Sequence, residues 1–297
     1  MDARAAQLPL YAALTAALAA LIAGCVPASG AGSATQSSNG TATQSATPLE
    51  EVRLAAQTAA GVTSFTGTMS LQTSARPGAT GSAQSLGNVT MSATFTEELH
   101  PSLLANVDIT SLSSAGMSLS GGVSEIVTPA TIYLKWGFLT QTLHLTRPWL
   151  SIPVSAMSKS SGVNFGQLFS QVSSSGPLSE SQLLGGAASV RKVGSTTIGG
   201  VPVTEYSGTL PLSKGIQFLT GSARTQMAQA ITEAGFTTAT FTAWIDAEHT
   251  VRKAIVTEYG KTMDETITTT ITSIDKPLSI SLPTASQTAP LPGSDLG

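Results

Sequence analysis

Phe65-Thr66-Gly67-Thr68-Met69-Ser70-Leu71-Gln72 alternates without a break: Phe65, Gly67, Met69 and Leu71 fall on one side, Thr66, Thr68, Ser70 and Gln72 on the other. A period of two is the signature of a β strand with one buried and one solvated face. The same pattern recurs downstream. Val89, Met91, Ala93 and Phe95 alternate with Thr90, Ser92, Thr94 and Thr96, and Leu103, Ala105, Val107 and Ile109 alternate with Leu104, Asn106, Asp108 and Thr110. Met117 to Val127 and Ala130 to Trp136 continue it, and Trp149 to Val154 reads as a further short strand that Pro148 and Pro153 place at an edge.

The strands return after a helical interruption. Val190 to Ile198 and Val201 to Leu210 flank Gly199-Gly200, a two-residue hairpin signal. Thr238 to Asp246 and Val251 to Tyr259 pair across Ala247-Glu248-His249-Thr250, and Thr-rich Met263 to Ile274 is the last. Three segments have helical character instead. Thr47-Pro48-Leu49-Glu50-Glu51 combines a capping Thr, a Pro at the first position and acids in the first turn, which predicts a helix to about Ala60. Asn164 to Leu184 and Pro211 to Gly235 show apolar residues at helical spacing. Runs of strands with helical insertions predict an α+β fold with helices on one face of an antiparallel sheet. About ten strands are too many to stay flat, so the sheet curls into a half-barrel whose concave side faces the helices.

The N-terminus carries an address. An apolar run from Leu8 to Ala20 follows Arg4 and leads into Leu21-Ile22-Ala23-Gly24-Cys25. This describes a secretory signal, and its last four residues resemble the bacterial lipobox, in which Cys25 becomes the acylated first residue. Cys25 is the one cysteine of the chain. The expected organisation is a signal peptide over 1–24, lipidated Cys25 with a Ser/Thr-rich tether over 25–47, a folded domain over 48–285 and a flexible tail over 286–297. As a random coil the tether spans about 25 Å.

Composition excludes more than it assigns. Net charge is -3 and charged residues make up 10% of the chain, against 41% hydrophobic. There is no basic footprint for nucleic acid. His100, His144 and His249 are far apart in sequence, so no metal spacing occurs. No Gly-x-Ser-x-Gly elbow is present. Ser189-Val190-Arg191-Lys192 lacks the companion motifs of an acyl-serine enzyme, and Gly260-Lys261-Thr262 lacks the upstream Gly of a phosphate loop. Glu97-Glu98 and Asp264-Glu265 are adjacent pairs, whose side chains a strand sends to opposite faces, and they read as solvated hairpin ends. These absences point away from an enzyme, a metal site or a cofactor.

Apolar residues supply the candidate site. Met69, Met91, Phe95, Val107, Met117 and Leu119 would form an adaptable wall on the strands, and Phe165, Phe169, Phe218, Met227 and Ile231 a lid from the helical segments. The same residues suit the ordinary core of helices packed on a sheet.

Several stretches together resemble the actinobacterial LppX/LprG lipoproteins and their relatives of LolA/LolB-like fold. They are the lipobox with its tether, the opening helix before Phe65-Thr66-Gly67-Thr68, the hairpin Ile198-Gly199-Gly200-Val201-Pro202-Val203-Thr204-Glu205-Tyr206-Ser207-Gly208, and Ala243-Trp244-Ile245-Asp246 followed by Val251-Arg252-Lys253. The resemblance implies a curved antiparallel sheet with helices over its concave face. It implies a cavity for the acyl chains of a lipid or lipoglycan, carried across the cell envelope. The partners it implies are the cytoplasmic membrane, through the lipid anchor on the extracytoplasmic face, and an envelope transporter or acceptor protein. A sensory or scaffolding module that binds a protein partner is the other class of function this architecture serves.

Overall fold

A computed structural model describes residues 46–76, 88–114, 117–118, 122–142, 144–154, 177–219 and 221–290. The sheet grows from local hairpins and two long-range pairings. Its strands are β1 (Ser64–Ala75), β2 (Val89–Glu98), β3 (Leu104–Ser114), β4 (Met117–Ser118), β5 (Val123–Val127), β6 (Thr131–Trp136), β7 (Trp149–Pro153), β8 (Ser189–Ile198), β9 (Val201–Pro211), β10 (Thr238–Ile245), β11 (Val251–Tyr259), β12 (Met263–Ile274) and β13 (Thr288–Pro290). The order is β13-β7-β6-β5-β3-β2-β1-β12-β11-β10-β9-β8, with the short β4 beside β3. The result is an open, curved antiparallel sheet with few helices, wider than the ten strands that periodicity predicts.

Each half is a meander of sequential neighbours. The seam is β1 against β12, where Met69 lies opposite Thr269 and Leu71 opposite Ile267. The Gly199-Gly200 turn behaves as its composition requires, both residues having positive φ (57° and 84°) between β8 and β9. At the opposite edge, Thr288–Pro290, assigned to a flexible tail by composition, pairs in parallel with Trp149–Ser151. Arg147 holds this crossing by donating from Nη1 to the carbonyl oxygens of Ala285 (2.7 Å) and Thr288 (2.6 Å). Trp149–Pro153 is therefore next to the edge and not itself the edge.

Helix α1 (Pro48–Ala59) starts with a capping box: the Glu50 amide donates to Thr47 Oγ1, and the Thr47 amide donates to Glu50 Oε2 at 2.7 Å. It buries Val52, Ala55, Ala56 and Ala59. Helix α2 (Gly137–Thr142) follows β6, and α3 (Pro177–Leu183) runs into a 3-10 turn over Leu184–Gly186. Helix α4 (Leu212–Gly215) with the 3-10 turn Ile216–Phe218, and α5 (Gly221–Ala234), divide the single long helical stretch that spacing predicts.

Buried residues form two clusters on the inner face. The first gathers Phe65, Met69, Leu71, Met91, Phe95, Val107 and their neighbours on β1–β3 and β5–β7. The second joins α1, α3 and α4 to Tyr206, Leu210, Phe241, Ala243 and Ile245 on β9 and β10.

Candidate functional site: the inner face of the sheet

Register sets which side chains meet. On β1 the odd residues from Phe65 to Thr73 are buried, whereas Thr68, Ser70, Gln72 and Ser74 are exposed. Antiparallel pairing carries this parity across the sheet: Met69 opposes Ala93, Leu71 opposes Met91, and Gly67 opposes Phe95, which in turn opposes Val107. Met69, Met91, Phe95 and Val107 are therefore on one face, contiguous and buried. Phe65 and Phe95 meet edge-to-face at 5.4 Å.

The helical candidates lie elsewhere. Met227 and Ile231 on α5 are half-buried against the second cluster, not the first. Phe218 is 41% exposed, with its ring over Gly185. Met117 is in the two-residue strand β4. Cys25, Leu119, Phe165 and Phe169 lie outside the described residues.

Periodicity missed a set of buried acids. Glu97 is 0% exposed, and neither carboxyl oxygen has a hydrogen-bond partner. It sits between Phe65 and Ala105 on the inner face. Glu125, between Val107 and Leu134, is buried too. A third group combines Glu258 on β11, Glu265 directly opposite on β12, and Glu180 from α3, whose Oε2 accepts from Thr269 Oγ1 at 3.4 Å. The adjacent pairs do split across the two faces, as strand geometry requires. They are not solvated ends, however: Glu97, the inner member of its pair, is fully buried, and Glu265, the inner member of the other, is half-buried. The signal was present in the parity: Phe95 and Glu97, Val123 and Glu125, Val256 and Glu258, and Ile267 and Glu265 each share a face.

Burial penalises the charged form of all five. It pushes the Glu97, Glu125 and Glu258 carboxyls up to about 8, with Glu265 adding to the rise at Glu258. Glu180 also reaches about 8, through burial first, then Glu258 and Glu265, against a small opposing effect of the Thr269 hydrogen bond. Glu265 reaches about 7 by burial. At neutral pH Glu97, Glu125, Glu180 and Glu258 are thus mostly protonated on an apolar inner face, whereas Glu265 is near its midpoint. Among the described residues no group of His, Cys, Asp and Glu has the arrangement to hold a metal ion.

The outer face differs. It carries rows of Thr and Ser, and a groove of about 470 Å³ opens there over β8–β11, lined by Ser207, Thr209, Thr240, Thr242, Thr257 and Arg191 among others. Its lining mixes these hydroxyls with Val190, Phe241 and Ile255. Among the described residues no helix is long and apolar enough to cross a membrane.

No family model matches the chain, and no curated protein matches it. Solved structures similar to it include LppX/LprG-type lipoproteins of the LolA-like fold. LprF from Mycobacterium bovis is 12% identical over 80% of this chain and 96% of that one, with a TM-score of 0.45. The lipoprotein LppX from Mycobacterium tuberculosis is 17% identical over 78% and 97% of the two chains, with a TM-score of 0.41.

Proposed function

We propose that this chain is a lipid-anchored protein of the cell envelope that binds the acyl chains of a lipid or lipoglycan on the inner face of its sheet. It carries them between the membrane and an acceptor. The observation that supports this reading is the unbroken apolar patch of Met69, Met91, Phe95 and Val107, spread over three neighbouring strands of a curved sheet. Taking acyl chains from water into such an interior releases about 0.8 kcal/mol per methylene. Two long chains thereby outweigh the ordering that binding demands. The work is desolvation and not bond chemistry, so no residue is required as acid, base or nucleophile. Acylation at Cys25 holds the domain at the extracytoplasmic face of the membrane, within reach of its cargo.

Native mass spectrometry of the protein extracted under mild conditions tests this. The expected spectrum shows the domain with a mass increment that tandem fragmentation resolves into acyl chains. A spectrum of the bare chain alone, unchanged after incubation with envelope lipid extract, would overturn the proposal.

A further inference from the structure

Register builds the floor of the outer groove from two rows of side chains. Ser189, Thr209, Thr240 and Thr257 lie side by side on β8, β9, β10 and β11, and Arg191, Ser207, Thr242 and Ile255 form the row beside them. Together with Val190, Gly208 and Phe241 these residues line a volume of about 470 Å³, which is within the range of small-ligand sites. Directly after Arg191, a bulge between Lys192 and Gly194 breaks the regular pairing and bends the edge strand at the groove's wall. The floor is bracketed by aromatic side chains. Beyond Thr242 the next outward residue of β10 is Trp244, held under Lys253, whose Nζ is 5.0 Å from the ring centroid. Beyond Thr257 the next outward residue of β11 is Tyr259, which is 40% exposed and has its hydroxyl 3.2 Å from Thr240 Oγ1. Some floor hydroxyls already meet: Ser189 Oγ is 2.7 Å from Thr209 Oγ1, and Thr257 Oγ1 is 3.1 Å from Thr266 Oγ1. A hydroxyl donates once and accepts twice, so each keeps capacity for a further partner. The lining holds no carboxylate, and Arg191 is its one charged group.

We propose that this groove binds a neutral oligosaccharide. A sugar ring carries hydroxyls that both donate and accept, set around faces of apolar C–H groups. The groove offers the matching surface: rows of hydroxyls with the same double capacity, the guanidinium donors of Arg191, and apolar area from Ile255 between two aromatic side chains. A cationic ligand finds no carboxylate in the lining, and a metal ion finds no suitable ligand arrangement among the described residues. An anion would find one guanidinium, exposed on the edge strand, and no second positive charge in the lining. The floor residues face away from Met69, Met91, Phe95 and Val107, so this inference stands independently of acyl binding on the inner face.

The test is an array of neutral and acidic oligosaccharides probed with the full-length protein, followed by isothermal titration of the strongest neutral binder. At least one neutral oligosaccharide should bind, and palmitate should not displace it. A Thr240→Val, Thr242→Val variant keeps the side-chain shape and the strand preference but removes two floor hydroxyls. It should bind at least about tenfold more weakly, as the loss of two hydrogen bonds provides. Tyr259→Ala, at an exposed position, should also weaken binding, whereas Tyr259→Phe should retain most of it. Circular dichroism melts of each variant report whether the fold is intact. Binding to no neutral member of the array, or to acidic members alone, overturns the proposal, as does undiminished binding by both the valine variant and Tyr259→Ala. These outcomes leave acyl binding on the inner face standing. Displacement of the sugar by palmitate overturns the proposal too, by making the groove part of an acyl site.

Discussion

Gly67 faces Phe95 across β1 and β2, and the Phe95 ring occupies the space a Cβ at position 67 would need. An added Cβ there would meet the Phe95 ring at 2.6 Å and the Thr270 carbonyl oxygen at 2.2 Å. Gly208 and Phe241 repeat the arrangement on β9 and β10, where a Cβ would come within 2.7 Å of the ring and 2.1 Å of the Ser189 carbonyl oxygen. One close partner in each case is backbone, which cannot move aside without shifting a strand. Gly67→Ala and Gly208→Ala should each destabilise the domain by about 2 kcal/mol, the usual range for overpacking. Thermal unfolding followed by circular dichroism should show each melting several degrees lower, about 2–4 °C per kcal/mol for a domain of this size.

Asp246 organises the turn between β10 and β11. Its Oδ1 accepts from the backbone amides of Glu248 (3.1 Å) and Thr250 (2.8 Å), and its Oδ2 accepts from Arg252 Nε at 2.6 Å. The side chain of Asp246 is 0% exposed and that of Arg252 is 20% exposed. Asp246→Ala strips three donors of their partner and should cost about 3 kcal/mol, as breaking a buried ion pair does. Arg252→Ala, which leaves the two amide bonds intact, should cost less. Urea titration of the two variants against the parent checks the order.

The Thr47 cap is a milder case. Thr47→Ala removes the acceptor for the Glu50 amide and the hydroxyl that donates to Glu50 Oε2 at 2.8 Å. A loss of about 1 kcal/mol is expected. Thr47→Ser, which keeps both bonds, should melt close to the parent.

The pH dependence of stability follows from the buried acids. Glu97 and Glu125 have folded values of about 8 against an ordinary 4.5. Between those limits the folded chain holds protons that the unfolded chain has released. Stability therefore falls as pH rises from 4.5 towards 8, the reverse of what a salt-bridged carboxylate gives. Below 4.5 the carboxyl groups are protonated in both states and contribute no slope. Melting temperatures measured from pH 5 to pH 9 should decline, and Glu97→Gln should flatten the decline because a neutral amide has nothing to ionise. A melting temperature that rises over this interval would exclude the assignment.

Much of the sheet was legible from local rules. The alternation from Phe65 to Gln72 fixes a buried side and a wet side, Gly199-Gly200 fixes a hairpin, and Thr47-Pro48 fixes a helix start; none of these needs distant contacts. The seam between β1 and β12 was not legible, because pairing Met69 with Thr269 depends on where two meanders meet. The depth of the acids was also hidden. Parity places Glu97 on the face of Phe95, but how far that face is buried depends on what packs against it. The same limit applies to the candidate site: the strand residues Met69, Met91, Phe95 and Val107 come together as their shared parity requires, whereas Phe218 comes to rest over Gly185 because the predicted single helix breaks at Ile216–Phe218.

If acyl chains lie on the inner face, a photoreactive chain marks it. Photolysis of the protein with a palmitoyl probe carrying a diazirine on its chain, followed by peptide mapping, tests it most directly. Adducts are expected on the peptides that contain Met69, Met91 and Phe95, competed away by unlabelled lipid. Adducts confined to the hydroxyl-lined outer groove around Ser207 and Thr240, or labelling that unlabelled lipid does not displace, would contradict it.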